Sequence, residues 1–319
     1  MSLFSIKRLE QDKDIEQWKR LCLKADGATL FHEYDFLSYH GDKFNEHHLG
    51  VFKGTTLFGI IPLAIDESGI ARSPYGASYG GFIFTEILSY SDSKIIVDQF
   101  LDYLKAIHVK KVLITPPIDV YYDNYSATFL FSLLAQGFKF TNSDITSVAR
   151  LYENIEESLF SSRTRRSIKK AKSNNITINY NGNTDDFWKI MDKTFYRHNT
   201  SPTHSKEQWE YLCLKFPDKI FSPIAYLENT PVSAIGYFQV SKKCGMSFYI
   251  ANDSEYKETQ ALTYLIAEFL QWLIKNKKAD KFDFGTSSVN MIARENIFEF
   301  KENFGANGVF KHTISKELN

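Results

Sequence analysis

The stretch at residues 161–172, SSRTRRSIKKAK, carries Arg163, Arg165, Arg166, Lys169, Lys170 and Lys172, and no acidic residue occurs from 158 to 184. On a helix, Arg165, Lys169 and Lys172 share one face, while Phe160, Thr164, Ile168 and Ala171 share another. Guanidinium forks match phosphate oxygens, so a basic face beside an apolar stripe predicts phosphate binding. The alternative is a solvated charged face between domains.

A second chemical stretch is residues 281–308, KFDFGTSSVNMIARENIFEFKENFGANG. A short strand ends in Asp283 and Gly285, a polar loop follows, and then come Phe300-Lys301 and Phe304-Gly305. On its own Asp283 reads as a carboxylate capping a loop, and Gly285 and Gly305 read as turn glycines. Tyr249, late in a central strand, can shuttle a proton, line a pocket or simply pack. The segment YGASYGG at 75–81 has no Gly-Lys-Ser/Thr after it, so it is no P-loop and reads as a tight bend beside a substrate groove. His47 and His48 are adjacent on an expected strand and point to opposite faces. His198 and His204 flank a Thr-Ser-Pro turn without an acidic neighbour in sequence. No metal site is expected, and Cys22, Cys213 and Cys244 are too scattered for a disulfide framework or a metal knuckle.

These residues need elements to hold them. Helical spacing predicts helices over 12–24, 91–107, 129–135, 187–196, 206–216 and 258–275. Apolar runs predict strands over 48–52, 57–65, 109–114, 221–227, 231–240, 245–251, 281–285 and 309–314. Each half of the chain then reads as helix, strand meander, long helix, strand. The expectation is an α/β chain (α+β type) of two similar domains, 1–152 and 153–319.

Composition narrows the function. Lys plus Arg number 38 and Asp plus Glu number 38. A net charge of zero argues against a DNA binder or a protein with a large basic footprint for RNA. No apolar run approaches the roughly 20 residues that span a bilayer. The opening MSLFSIKRLEQDKD lacks an apolar core, so a cytoplasmic chain is expected.

Three blocks in order resemble the Fem-like (FemAB-type) aminoacyl- and acyltransferases. They are Tyr79-Gly80-Gly81 after the strand pair containing LFGIIPLAI, then FSSRTRRSIKKAKSNNITI, then FDFGTSS with FKENFGA. The resemblance spans about residues 29–310. It implies two tandem GNAT-like domains, each a central mixed sheet flanked by helices, with the active-site cleft carried by the C-terminal one. It also implies that Lys301, in the "FK" pair, stabilises the oxyanion, with Phe300 beside it. Asp283 and Tyr249 would complete the catalytic group, and Arg163, Arg165, Arg166 and Tyr79 would bind substrate or phosphate. Where a GNAT phosphate loop of the type Q/R-x-x-G-x-G/A is expected, this chain has NDSEYKETQA, without glycine. No room exists for a long coiled-coil arm. Three functions remain open. One is an N-acyltransferase using acyl-CoA on an amino group of a sugar or cell-envelope precursor, a small or nucleotide-linked acceptor. Another is an aminoacyl-tRNA-dependent enzyme acting on a peptidoglycan precursor, disfavoured by the neutral charge. The third is a non-catalytic tandem GNAT-like binding protein.

Overall fold

Short apolar strands alternating with amphipathic helices build two units: Met1–Asp144 with Phe310–Asn319, and Ile145–Val309. The computed structural model describes residues 4–124, 126–153, 155, 159–197 and 199–318; His198 lies outside the described residues.

In the first unit the elements are β1 (Phe4–Arg8), α1 (Asp12–Cys22), β2 (Leu49–Lys53), β3 (Thr56–Ile61), β4 (Ala64–Ile65), β5 (Ile70–Ser73), β6 (Ile83–Phe84), α2 (Tyr90–Ala106), β7 (Lys111–Ile114) and α3 (Thr128–Ala135). Strands β1, β2, β3 and β6 form an antiparallel sheet in that order. Strand β5 pairs β4 antiparallel and β7 parallel, and α2 lies between β5 and β7 in the chain. The C-terminal strand, Asn307–Glu317, pairs antiparallel with β7, Ile314 against Ile114. Ser89 caps α2, its Oγ accepting the Asp92 N–H at 3.1 Å. The core gathers Leu49, Val51, Ile61, Ile96, Phe100, Leu104 and Val112. Each such side chain contributes roughly 1.5–3 kcal/mol by leaving water.

The second unit takes over along β8 (Lys139–Arg150), a strand no expectation included. Its sequence KFTNSDITSVAR is polar through the first half, so no apolar run announces it. Then follow α4 (Ser162–Ser173), β9 (Ile176–Asn179), α5 (Thr184–Arg197), α6 (Lys206–Lys215), β10 (Ile220–Phe221), β11 (Ile224–Leu227), β12 (Thr230–Gln239), β13 (Cys244–Asn252), α7 (Ala261–Lys275), β14 (Lys281–Thr286), β15 (Ser288–Val289), β16 (Ile292–Ala293) and α8 (Glu295–Glu302). The strand order is β8-β14-β13-β12-β11-β9. Only β13–β14 is parallel among these pairs, with α7 between them in the chain. Helix α7 buries Leu265, Ile266, Phe269, Leu270 and Leu273, a one-sided stripe at helical spacing.

The first unit thus holds an antiparallel sheet beside a mixed one, in place of the single central mixed sheet expected, and the second unit holds a mixed sheet; each contains strand, long helix, parallel strand. Local differences from the expected spans have physical causes. Pro62 has no N–H to donate, so the strand expected over 57–65 stops at Ile61 and resumes at Ala64. The helix expected from 258 begins at Ala261, because Ser254–Thr259 is a 3-10 turn and Gln260 is left-handed at φ 60°. The last strand is longer than 309–314, running over Asn307–Glu317.

Candidate active site

The centre of the second unit is a place where paired strands part. Parallel β13 and β14 share three registered pairs, the last being Met246 with Asp283. Past that pair β13 continues for six residues without β14. The β12–β13 register shifts at the same level: Gly236 faces Tyr249, but Tyr237 faces Ser247. Phe248 is therefore the extra residue of a bulge, which bends β13 and sharpens its twist. On β14 the chain turns at Gly285, φ 78°, a conformation that favours glycine. A Cβ there would lie 3.7 Å from the Ser247 carbonyl oxygen, so the two strand ends stay close as they separate.

Lys301 meets this point from α8. It is 4% exposed, and its Nζ donates to the carbonyl oxygens of Gly285 at 2.6 Å and Thr286 at 2.7 Å. A surface lysine is thereby replaced by a buried ammonium with two of its three donors fixed. Burial pulls its pKa down from 10.5 to about 8; Asp283 opposes the drop and Arg294 adds to it. Asp283 is fully buried on β14. Its Oδ1 accepts from Thr146 Oγ1 at 2.5 Å and from the Gly285 N–H at 2.7 Å. Asp283, Gly285 and Lys301 thus form one connected group. Buried hydroxyls surround it, Ser147 Oγ and Ser287 Oγ lying 2.7 Å apart. Ser247 Oγ is buried with no hydrogen-bond partner among the described residues. The Thr-Ser-Ser after DFG signals Ser287 in sequence; Ser247 and Thr146 carry no such signal.

Tyr249 is held by a histidine. Its hydroxyl accepts the His204 backbone N–H at 3.1 Å and bonds His204 Nδ1 at 2.8 Å. Phe187, Phe195 and Trp209 pack around its ring, and burial raises its pKa. His204, without an acidic neighbour in sequence, finds its partner on a strand 45 residues away. Tyr79 belongs to the first unit. It is buried against Phe31 and Tyr121, with Lys311 Nζ 4.7 Å over its ring. The bend after it is pinned by Gly80 N–H to Thr115 O (2.9 Å) and Gly81 N–H to Ser73 Oγ (2.7 Å).

The basic stretch is α4. Ser161 Oγ caps it by accepting the Thr164 N–H, and Thr164, Ile168 and Ala171 are its buried face. No acidic residue stands in its first turn, where Arg163 and Arg165 sit against the positive end of the helix dipole, with Arg166 just beyond. Acidic side chains are the stabilising choice there, so the arginines concentrate positive charge at some cost. The three diverge. Arg165 turns back, its Nη1 donating to Phe160 O at 2.7 Å, and Arg166 is exposed. Arg163 lines a groove of ≈ 230 Å³ with Ser167, Gln260, Thr263, Glu299 and Phe300. Thr263 and Gln260 mark the N-terminus of α7, where helix amides attract anions. Glu299 lies 3.4 Å from Arg163 and offsets part of its charge. Phe300 faces this groove, while the adjacent Lys301 reaches Gly285.

No family model matches the sequence, and no curated protein matches it. Solved structures do. The crystal structure of FemX aligns with a TM-score of 0.72 at 12% identity, covering 98% of each chain. L-PGS from Bacillus licheniformis aligns with a TM-score of 0.61 at 10% identity, over 96% of this chain and 91% of that one. A tandem GNAT protein from the clavulanic acid biosynthesis pathway aligns with a TM-score of 0.55 at 8% identity, over 99% and 98%. At these identities the likeness is one of fold. This chain has the fold of the Fem and tandem GNAT structures, as the three sequence blocks implied.

Proposed function

We propose that this chain is an N-acyltransferase that moves an acyl group from acyl-CoA to the amino group of a sugar or other cell-envelope precursor. The observation that carries it is the buried Lys301 ammonium held at the parting of β13 and β14. In this reading the acceptor amine attacks the thioester carbonyl carbon. A C–N bond forms, the C–S bond breaks and its electron pair leaves with sulfur. The amine gives up one proton by way of Asp283, and the thiolate takes one up. Lys301 faces the carbonyl oxygen as it becomes negative, and a pre-aligned donor of this kind is worth about 2.7–4 kcal/mol. The groove of Arg163 at the α7 N-terminus would take the donor phosphates.

A second donor, an aminoacyl-tRNA with a peptidoglycan precursor as acceptor, is favoured by one feature. The turn before α7 has no glycine, which hinders close approach of its backbone to a pyrophosphate. In that case a C–O bond to ribose breaks in place of C–S.

Thermal shifts with acetyl-CoA, CoA and UDP-amino sugars test the reading. A ligand at 100 times its Kd adds about 2.7 kcal/mol of apparent stability. A shift with acetyl-CoA and CoA supports the thioester donor. No shift with either, together with transfer from an aminoacyl-tRNA, moves the assignment to the second donor.

A further inference from the structure

Directly after β14 the chain forms a small hairpin of β15 and β16. Ser288 pairs Ala293 and Val289 pairs Ile292, so Asn290 and Met291 make a two-residue turn. Both have left-handed φ values, 51° and 61°. Turns of this kind take Asn-Gly by preference, because the second position also needs positive φ. A side chain there costs roughly 1–2 kcal/mol, and glycine would serve the turn better. The chain nonetheless places methionine there, 65% exposed, beside Ile292 at 71% and Val289 at 40%. Three neighbouring apolar side chains thus project from one convex tip.

The foot of the hairpin is firm. The Arg294 N–H donates to Ser287 O at 2.9 Å, and Ser288 Oγ accepts the Ile145 N–H at 2.8 Å. Thr286, two residues before β15, gives one of the two carbonyls that hold Lys301. Arg294 is exposed at the foot, and its charge is felt at Lys301. The tip therefore projects from the wall of the candidate active site.

We infer that this hairpin is a lipid-inserting finger. Val289, Met291 and Ile292 enter the acyl-chain boundary of an anionic bilayer, and Arg294 meets the headgroup phosphates. Two features select a bilayer over a protein partner. Three side chains, one on the turn and two on the strand pair beneath it, fall far short of the roughly 800 Å² per partner of a stable protein interface. Apolar tip and adjacent cation also match the layering of acyl chain below phosphate. The binding is weak and reversible, of the order a single myristoyl chain gives, about 10⁴ M⁻¹. It would bring an acceptor held at a membrane to Lys301, which deepens the proposed transferase reading and rests on it for that consequence alone.

Flotation of the full chain with vesicles of phosphatidylcholine and phosphatidylglycerol (1:1), and with phosphatidylcholine alone, tests the finger. The wild type is expected to float with the anionic vesicles and less with the neutral ones. Met291→Asp with Ile292→Asp should cut partitioning at least tenfold. Met291→Gly should raise Tm and still weaken partitioning, which separates lipid contact from folding. Arg294→Gln should erase the preference for anionic vesicles. A wild type that stays unbound to both vesicles, or a double aspartate variant that floats equally well, overturns the inference. So does a wild-type dimer in light scattering that the double variant lacks, since the tip would then meet a second copy. Vesicle binding with neither a CoA shift nor transfer from an aminoacyl-tRNA leaves the finger standing and removes the transferase reading; a donor shift or transfer without vesicle binding does the reverse.

Discussion

Lys301 and Asp283 are joined through one glycine: Lys301 Nζ donates to the Gly285 carbonyl at 2.6 Å, while the N–H of the same residue donates to Asp283 Oδ1 at 2.7 Å. A cation and a carboxylate thus grip opposite ends of a glycine with φ 78°. Position and charge of the ammonium are set by the same contacts.

Lys301→Met keeps the stem and removes the charge. Transfer activity should fall about 10²–10³-fold in kcat, the range for one lost oxyanion donor, with KM little changed. The Gly285 and Thr286 carbonyls also lose their donor; both are partly open to water, so stability should fall by about 0.5–1.5 kcal/mol for each hydrogen bond lost. Denaturant unfolding measures this second effect separately. Lys301→Arg should recover only part of kcat, because a planar fork does not occupy a point-charge site. A Lys301→Met variant with near-normal kcat and lowered stability would make Lys301 a structural pin.

The pKa of Lys301 gives stability and rate opposite pH dependences. The unfolded lysine titrates near 10.5 and the folded one near 8. Between these values the unfolded chain binds more protons, so stability rises with pH across this window, and the burial penalty is fully present below 8. Catalysis by the ammonium falls over the same range. The ratio of wild-type to Lys301→Arg kcat should therefore decline above pH 8, while wild-type stability gains on that of Lys301→Arg. Parallel kcat profiles for the two proteins would remove Lys301 titration from the rate.

Asp283→Asn retains an acceptor for Thr146 and Gly285 but no charge. Asp283 holds the Lys301 pKa up, so the variant should lose its ammonium at lower pH and its alkaline limb should move down. Asp283→Ala also orphans two buried donors and should cost about 1–3 kcal/mol for each. Asp283→Asn should also lower kcat, because the amine loses its proton path; if the alkaline limb stays in place, the carboxylate serves the amine alone and does not sustain the Lys301 charge.

How much of this arrangement was legible in the sequence depends on locality. The stripe Thr164, Ile168, Ala171 is buried as helical spacing requires, and α2 and α7 lie nearly where their periodicity puts them. The pairing of DFG with the FK lysine was legible as order in the chain and through the Fem resemblance. Its geometry was not, because the acceptors of Lys301 are main-chain carbonyls, which every residue carries. Thr146 reaches Asp283 across 137 positions, from a strand without an apolar signature. Tyr249 and His204 meet across 45 positions, a distance over which spacing rules say nothing. The strand separation depends on where a register ends, and that is a property of two strands together.

The basic helix separates three arginines that its sequence groups together. Arg163 lines the groove at the α7 N-terminus, whereas Arg165 is bonded to the Phe160 carbonyl. Arg163→Ala removes an exposed ion pair with Glu299, so stability should change by less than about 1 kcal/mol. A charge-assisted contact to phosphate is worth about 1.5–3 kcal/mol, so the Kd for CoA should rise by about tenfold or more. Raising the salt should weaken CoA binding less in the variant than in the wild type, since one screened attraction is gone. Arg166→Ala should leave Kd within about twofold. Glu299→Gln should tighten CoA binding, because it removes the carboxylate that offsets Arg163. Calorimetric titration with CoA at two ionic strengths checks all three variants. Equal affinities and salt responses across them would make α4 a solvated face and place the donor phosphates elsewhere.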